Sequence, residues 1–316
     1  MSLPREWRAP PSGRYSPLRY PGGKGKLARF VAELIQANSL QDGLYVEPYA
    51  GGAAVAWELL LTGLVRRVHI NDISGPIHSF WRSVLDHTED LLRMVSDTPL
   101  NLDTWSLMKK TFTNPDDFNE LQVGFAMFYL NRTNRSGILN GGPIGGKTQN
   151  GKWNMDARYN RAELLVRIER IALAKKRITL TNIDALELIR SHGKGWSGKA
   201  LVYLDPPYYA KGPDLYYNSY KKNDHFEVAK AIRELTTVPW IVSYDDVVPI
   251  HELYDSESWL QYEIGYSARE RTRGREAMFF SPGLSIPKVR GSMVELDRWF
   301  RCESMCEYRA PSQMVA

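Results

Sequence analysis

The first regular pattern along the chain is Leu27, Phe30, Val31, Leu34 and Ile35, apolar positions on one helical face, which predicts a helix over 27–37. The run Leu44-Tyr45-Val46 breaks it and ends in Glu47-Pro48, which predicts a short buried strand. Gly51-Gly52 then opens an Ala- and Leu-rich helix over 53–61. Val68-His69-Ile70, closed by Asn71-Asp72, predicts a second strand. Strand, glycine turn, helix and strand form a βαβ unit, because parallel neighbours need a crossover.

The pattern then changes. Residues 76–130 read as helical throughout, with Leu85, Leu91, Leu92, Met94 and Val95, then the apolar stretch 123–130. Residues 131–160 hold Gly, Asn and Arg with few aliphatics, too long a stretch for an ordinary connection, so a functional loop is expected. The α/β rhythm resumes with a helix over 162–174 and strands over 178–181, 201–204 and 240–243. A helix over 226–235 separates the last two, and 260–266 and 277–280 suit a terminal antiparallel pair. No internal repeat is evident. The architecture expected is one open α/β sheet, mostly parallel, interrupted by a helical and loop insertion. A Pro-, Arg- and Ser-rich start (1–16) reads as a flexible arm. Residues 17–75 and 161–285 make the main domain, 76–160 the insertion and 286–316 a C-terminal extension.

Composition narrows the class. Apolar residues are 43% of 316, too many for a disordered chain. No run approaches a membrane span, and the first seventeen residues lack the apolar core of a signal peptide. Two cysteines, Cys302 and Cys306, cannot build a disulfide framework, so a reducing cytosol is expected. Four apart, they are half of a metal site at most, and unligated thiols are the reading adopted. The 41 Lys+Arg against 36 Asp+Glu leave +5, a weak hint of a polyanionic partner. Its distribution says more: 266–290 alone holds six Lys/Arg against two Glu.

Two stretches carry chemistry. In Tyr45-Val46-Glu47-Pro48-Tyr49-Ala50-Gly51-Gly52-Ala53 a strand ends in an acid and enters a glycine turn and helix. Glycines there let a ligand approach the backbone, and the helix N-terminus offers free N–H groups. Asp72, 21 positions after Gly51, ends the next strand, where an acid accepts from both ribose hydroxyls. Helix–strand packing alone would explain the same glycines. The G-x-G-x-x-G dinucleotide pattern fails. So does the P-loop, since Pro21-Gly22-Gly23-Lys24-Gly25-Lys26 lacks the leading Gly and the Ser/Thr after Lys. That turn suits an anionic group, or is simply solvated.

The second stretch is Leu201-Val202-Tyr203-Leu204-Asp205-Pro206-Pro207-Tyr208. An apolar strand delivers Asp-Pro-Pro-Tyr at its carboxyl end, where open α/β sheets bind ligands. The prolines lack N–H groups, so the carbonyls beside them need outside donors. An exocyclic amino group is such a donor, and Tyr208 offers a ring for stacking a base.

Asp205-Pro206-Pro207-Tyr208 resembles motif IV of the amino methyltransferases, 47–53 their motif I, and Arg19-Tyr20-Pro21-Gly22-Gly23-Lys24 their motif X. In this order, with a long insertion between motifs I and IV, residues 17–285 resemble the D12 class (Dam-like, α-group) of DNA adenine-N6 methyltransferases. Asn131-Arg132-Thr133 with Ser136-Gly137, Gly151-Lys152-Trp153-Asn154, and 217–225 match further stretches of that family. Tyr49 stands where the family often has Phe, Ala53 where it has Gly, and Tyr20-Pro21 where it has Trp-Ala. The segment 135–143 departs from members that read GATC, which leaves the recognition sequence open.

The resemblance implies a Rossmann-like class I methyltransferase sheet with an antiparallel last strand, and S-adenosylmethionine as cofactor. Lys24, Gly23 and the motif I residues Glu47, Pro48, Tyr49 and Gly51 would hold its methionine end, with Tyr20 packed nearby. Asp72 would take the ribose, and Ile73, Ile183 and Asp184 would contact the adenine. Asp205 and the Pro206 carbonyl would grip N6 of a flipped target adenine, with Pro207 stiffening the turn and Tyr208 stacking on the base. Arg132, Asn134, Arg135, Lys147, Lys152 and Arg158 in the insertion would face DNA, as would Arg269, Arg271, Arg273 and Arg275 in a loop between the last two strands. Each basic residue alone could equally be a solvated charge. His225 matches a family position of underived role. The expected partner is double-stranded DNA, with no metal and no membrane. The expected protein is a cytoplasmic, nucleoid-associated monomer, with room for a restriction endonuclease partner. Rival readings are an N4-cytosine enzyme, whose motif usually starts with Ser, a protein-glutamine or RNA methyltransferase, whose motif starts with Asn, and a non-catalytic DNA-binding relative.

Overall fold

A computed structural model describes residues 15–19, 24–210, 220–267 and 271–301. The motif X residues Tyr20 and Gly23, Arg269, and both cysteines lie outside the described residues. Eight strands form one sheet: β1 (Leu44–Glu47), β2 (Arg67–Asn71), β3 (Ile178–Thr181), β4 (Ala200–Leu204), β5 (Trp240–Asp245), β6 (Ser258–Ser267), β7 (Arg271–Phe280) and β8 (Met293–Trp299). Their order is β3-β2-β1-β4-β5-β7-β6-β8, with the first five parallel and the rest antiparallel. The mostly parallel sheet with an antiparallel end is therefore observed.

Both faces are covered, which is why the central strands read as unbroken apolar runs. Tyr45, Leu201, Tyr203 and Ile241 enter one core with helices α1 (Ala28–Ala37), α2 (Ala54–Leu61), α3 (Gly75–Asp86) and α7 (Arg161–Leu173). Their neighbours Val46, Val202, Leu204 and Val242 enter a second core with α8 (Ala185–His192), α9 (Lys222–Arg233) and α10 (Val248–Leu253).

The insertion contributes α3, α4 (Thr88–Asp97), α5 (Leu102–Thr113) and α6 (Glu120–Thr133). An Asn119–Gln122 capping box starts α6. Residues 123–131 of α6 are all buried. It crosses α3 at Gly124, where an added Cβ would meet the Ser79 carbonyl oxygen at 2.5 Å. Beside this contact Phe80 and Phe128 stack at 5.3 Å.

Three expectations change. Arg271, Arg273 and Arg275 are in strand β7, not in a loop. Only Glu276–Phe280 of β7 pair with β5, whereas all of β7 pairs with β6. The outer half of β7 thus runs past the carboxyl end of β5 and pairs with β6 alone, and its run of alternating Arg carries no apolar strand signal. Strand β8, unexpected, lies inside 286–316 and continues the sheet; only Met293 of it is buried, so its sequence carries little strand signal. Finally, the described start of the chain is packed: Ser16 donates to the Gly52 carbonyl at 2.6 Å and Leu18 is buried.

Candidate active site

The parallel strands bring their carboxyl ends to one rim. There β1 ends at Glu47, β2 at Asn71 before Asp72, β4 before Asp205, and β5 at Asp245. A 3-10 turn, Lys24–Leu27, carries Lys24 to the same place.

Asp205 Oδ1 accepts from Ser243 Oγ at 2.9 Å, and that hydroxyl is 2.9 Å from the Tyr203 hydroxyl. The Lys24 ammonium lies 3.5 Å from the same carboxylate oxygen. Burial pushes the Asp205 carboxyl up to about 6; Lys24 opposes that push and Glu276 adds to it. Lys24 is itself buried and donates to both oxygens of Glu276, at 2.8 and 2.9 Å. It also donates to the Tyr208 hydroxyl, which in turn donates to Glu276. The Tyr262 hydroxyl completes the cluster, donating to Glu276 at 2.7 Å. Tyr208 is therefore nearly buried, with its ring tilt fixed through its hydroxyl.

The backbone leaving motif IV is held separately. Asp245 accepts from the Tyr209 and Ala210 N–H groups, each at 2.8 Å. Glu276 and Asp245, which face each other across β7 and β5, are site residues that the sequence reading missed. Asp245 had a signal, an acid ending an apolar strand as in motifs I and IV. Glu276 had only its isolation, as an acid between Arg275 and an apolar run.

The motif I side is built around two residues. Asp72 accepts from Gly51 N at 2.8 Å and Ser74 N at 2.9 Å, yet burial raises its carboxyl to about 6. Asn71, also missed, donates to the carbonyls of Pro48 (3.0 Å) and Ile183 (2.9 Å) and accepts from Ile183 N at 3.1 Å. One amide thus ties the loops after β1, β2 and β3 together. Trp81 Nε1 donates to the Gly51 carbonyl at 2.9 Å, and Ala53 sits at φ +46° before α2. Ile73 is exposed beside this rim. Glu47 is buried; desolvation, then Asp205, raise its carboxyl well above the usual range, and its Oε2 has no hydrogen-bond partner among the described residues. Tyr49 and Tyr220 share a hydroxyl contact at 2.9 Å. Asp184 caps α8, accepting from Leu186 N at 2.9 Å and Glu187 N at 3.3 Å. His225 is buried, 3.1 Å from the Tyr244 hydroxyl and ringed by Tyr209 and Tyr220, which makes it a packing residue.

Two of the basic-rim expectations are corrected. Asn134 is buried: its Oδ1 accepts from Trp105 Nε1 at 2.7 Å, and its Nδ2 donates to the carbonyls of Ile138 and Leu139. It closes the end of α6 and has no face for DNA. Arg132 turns inward, donating to the carbonyls of Pro17 and Arg158, and burial lowers its guanidinium to about 9. The neighbouring Asn131 bonds the Arg19 backbone on both sides, at 2.7 Å each. Gly137 lies so close to Arg19 that a Cβ would meet its carbonyl at 2.4 Å. The Asn-Arg-Thr and Ser-Gly stretches therefore serve to hold the segment that leads into motif X. Arg135, Lys147, Lys152, Arg158 and Arg275 are exposed. Lys152 lies over the exposed Trp153 ring at 5.7 Å. Among the described residues no three His, Cys, Asp or Glu gather as a metal site, and no helix is long and apolar enough to cross a membrane.

A sheet that ends its strands in these acids, with Asp-Pro-Pro-Tyr after β4, has the layout of an enzyme methylating an amino group. Residues 20–267 match the family of D12 class N6 adenine-specific DNA methyltransferases, and the chain belongs to that family. It is an adenine-specific DNA methyltransferase. The type II methyltransferase M.MjaIII of Methanocaldococcus jannaschii is 24% identical over 238 residues, 69% of this chain and 79% of the relative. Among solved structures, PH1948 from Pyrococcus horikoshii aligns with a TM-score of 0.39 at 9% identity, over 84% of this chain and 87% of that one. The rRNA methyltransferase AviRa from Streptomyces viridochromogenes aligns with a TM-score of 0.35 at 11% identity, over 80% and 83%.

Proposed function

We propose that the protein methylates N6 of an adenine turned out of duplex DNA, using S-adenosylmethionine, with Asp205 as the group that grips the amino nitrogen. The observation carrying this reading is Asp205 itself. It is a largely buried carboxylate at the end of β4, oriented by Ser243 and followed by two prolines.

The cofactor fits the residues at the rim. Glu47 Oε2, buried without a hydrogen-bond partner among the described residues, suits the cationic amine of a methionine end. Asp72 suits the ribose hydroxyls, and Ile73 with Ile183 the adenine. Bound there, S-adenosylmethionine would supply a sulfonium methyl to the N6 lone pair, with the C–S pair retained by sulfur and the displaced N6 proton passing through the Asp205 carboxylate to water. Asp205 and the Pro206 carbonyl would each accept a hydrogen bond from one N6–H, which draws the lone pair out of conjugation with the ring. Pro206 and Pro207 stiffen that grip, and the fixed Tyr208 ring gives the base a wall. Positioning and charge placement supply the rate, with no covalent enzyme intermediate.

Residues 76–160 are the DNA-reading region in this proposal, with Arg135, Lys147, Lys152 and Arg158 at phosphates, alongside the β6–β7 ribbon with Arg271, Arg273 and Arg275. The site of action is then chromosomal DNA. The test is Asp205→Ala assayed for labelled methyl transfer to DNA, with the product digested to nucleosides. Loss of N6-methyl-2′-deoxyadenosine formation from a folded variant is expected. Persisting methylation would sink the proposal, and a methylated cytosine in the wild-type product would replace adenine by its rival.

A further inference from the structure

We propose that Glu276 is a positioning residue for methyl transfer: from the antiparallel strand β7, its carboxylate fixes the Tyr208 ring and holds the Lys24 ammonium away from Asp205. The inference rests on the reading of Asp205 above and extends it to a residue outside the motifs.

Two acids compete for one ammonium. Lys24 Nζ is 2.8 and 2.9 Å from the oxygens of Glu276 but 3.5 Å from Asp205. The nearer acid is the more deeply buried, 1% exposed against 17%. An ammonium in full contact with Asp205 would occupy the oxygen that an amino group must reach. It would also drain the charge that draws on the amino hydrogens. Glu276 prevents both, and its own place is fixed from β6 by Tyr262 at 2.7 Å.

The register gives the arrangement its purpose. Glu276 pairs with Asp245, and the two acids clamp consecutive residues: Glu276 the Tyr208 hydroxyl, Asp245 the Tyr209 and Ala210 N–H groups. The exit of motif IV is thus held from two neighbouring strands, β5 and β7. Among the described residues, the groups that act on Asp205 are Lys24 on the 3-10 turn, Tyr45 and Glu47 on β1, Tyr203 on β4, Ser243 and Tyr244 on β5, Tyr262 on β6 and Glu276 on β7. Of these only Lys24 is a cation, so its allegiance sets the balance.

The test compares Glu276→Gln, Tyr262→Phe and Asp205→Ala on a duplex substrate, measuring kcat and KM from pH 5 to 9. Glu276→Gln keeps size and an acceptor but loses the charge. We expect kcat to fall about 10-fold or more, as for a misplaced reacting group, with KM for DNA within a few-fold. The acid limb of kcat/KM, which reports the free enzyme and which burial of Asp205 places above the ordinary carboxylate range, should move to lower pH as a negative neighbour is lost and Lys24 closes in. Tyr262→Phe should move both readouts the same way by less. A folded Glu276→Gln variant with wild-type kcat overturns the inference. So does one whose kcat falls while the limb stays fixed, which would mark a merely structural role. If Glu276→Gln does not fold, Tyr262→Phe decides by the same criteria. Residual methylation by Asp205→Ala would overturn the parent reading; an inactive Asp205→Ala beside an unaffected Glu276→Gln overturns only the role of Glu276.

Discussion

Asp205 works against the stability of its own protein. Burial lifts its carboxyl from the ordinary 3.8 to about 6, so between those values the folded chain binds more protons than the unfolded one. The stability tied to this group is full below pH 4 and is lost as pH rises through about 6. Activity runs the other way, since a protonated Asp205 cannot pull on N6. Asp205→Asn should therefore be inactive yet more stable than wild type at pH 8, by about 2–3 kcal/mol at most, from 1.36 kcal/mol per pH unit. Urea unfolding at pH 8 and pH 4 checks this, and the gap should close at the lower pH. Several such residues were legible in the sequence because an acid that ends an apolar run stands out: Glu47, Asp72 and Asp205. Glu276, Asp245 and Asn71 take their roles from cross-strand register or from loops that meet only in the fold. Arg132 and Asn134 misled for a related reason. A polar side chain in a glycine-rich stretch looks solvated, but here the end of α6 needs donors and acceptors for its own carbonyls and loop.

Among the elements, the α3–α6 crossing bears most directly on how the insertion sits on the sheet. Gly124 lets α6 approach the Ser79 and Phe80 backbone, with an added Cβ at 2.5 Å and 2.8 Å. Gly124→Ala would gain about 1 kcal/mol in helix propensity, yet the clash should outweigh that by about 1–3 kcal/mol and lower the unfolding midpoint. A thermal melt that rises instead would mean the two helices separate freely. The apolar strands and the helices around them were readable because burial on two faces, or on one stripe, imprints itself on sequence. The outer half of β7 and all of β8 were not, because the first has a strand partner on one side only and the second buries only Met293. Register, not composition, makes them strands.

For the molecule as a whole, the net +5 is an average over acids that close the strands, Glu47, Asp72, Asp205 and Asp245, and basic stretches elsewhere in the chain. Arg135, Lys152 and Arg158 stand exposed on the insertion. Replacing all three by Ala should weaken DNA binding and reduce the slope of log affinity against log salt by about 2–3, since each phosphate contact contributes about 0.9. Fluorescence anisotropy over a salt series reads this directly. An unchanged slope would remove these residues from the phosphate backbone. The rate at saturating DNA should change little, because none of the three touches the cluster around Asp205.

The pairing of Lys24 with Glu276 joins residues 252 positions apart. During synthesis the lysine leaves the ribosome early and waits for a partner that arrives only after nearly the whole chain has followed, at about 5–20 residues per second. A chain that has not yet reached Glu276 already contains the residues of β1 and β2 but lacks the carboxylate to which the Lys24 ammonium and the Tyr208 hydroxyl donate. On the proposed role of Glu276, a chain truncated before β7 is expected to transfer no methyl group to DNA.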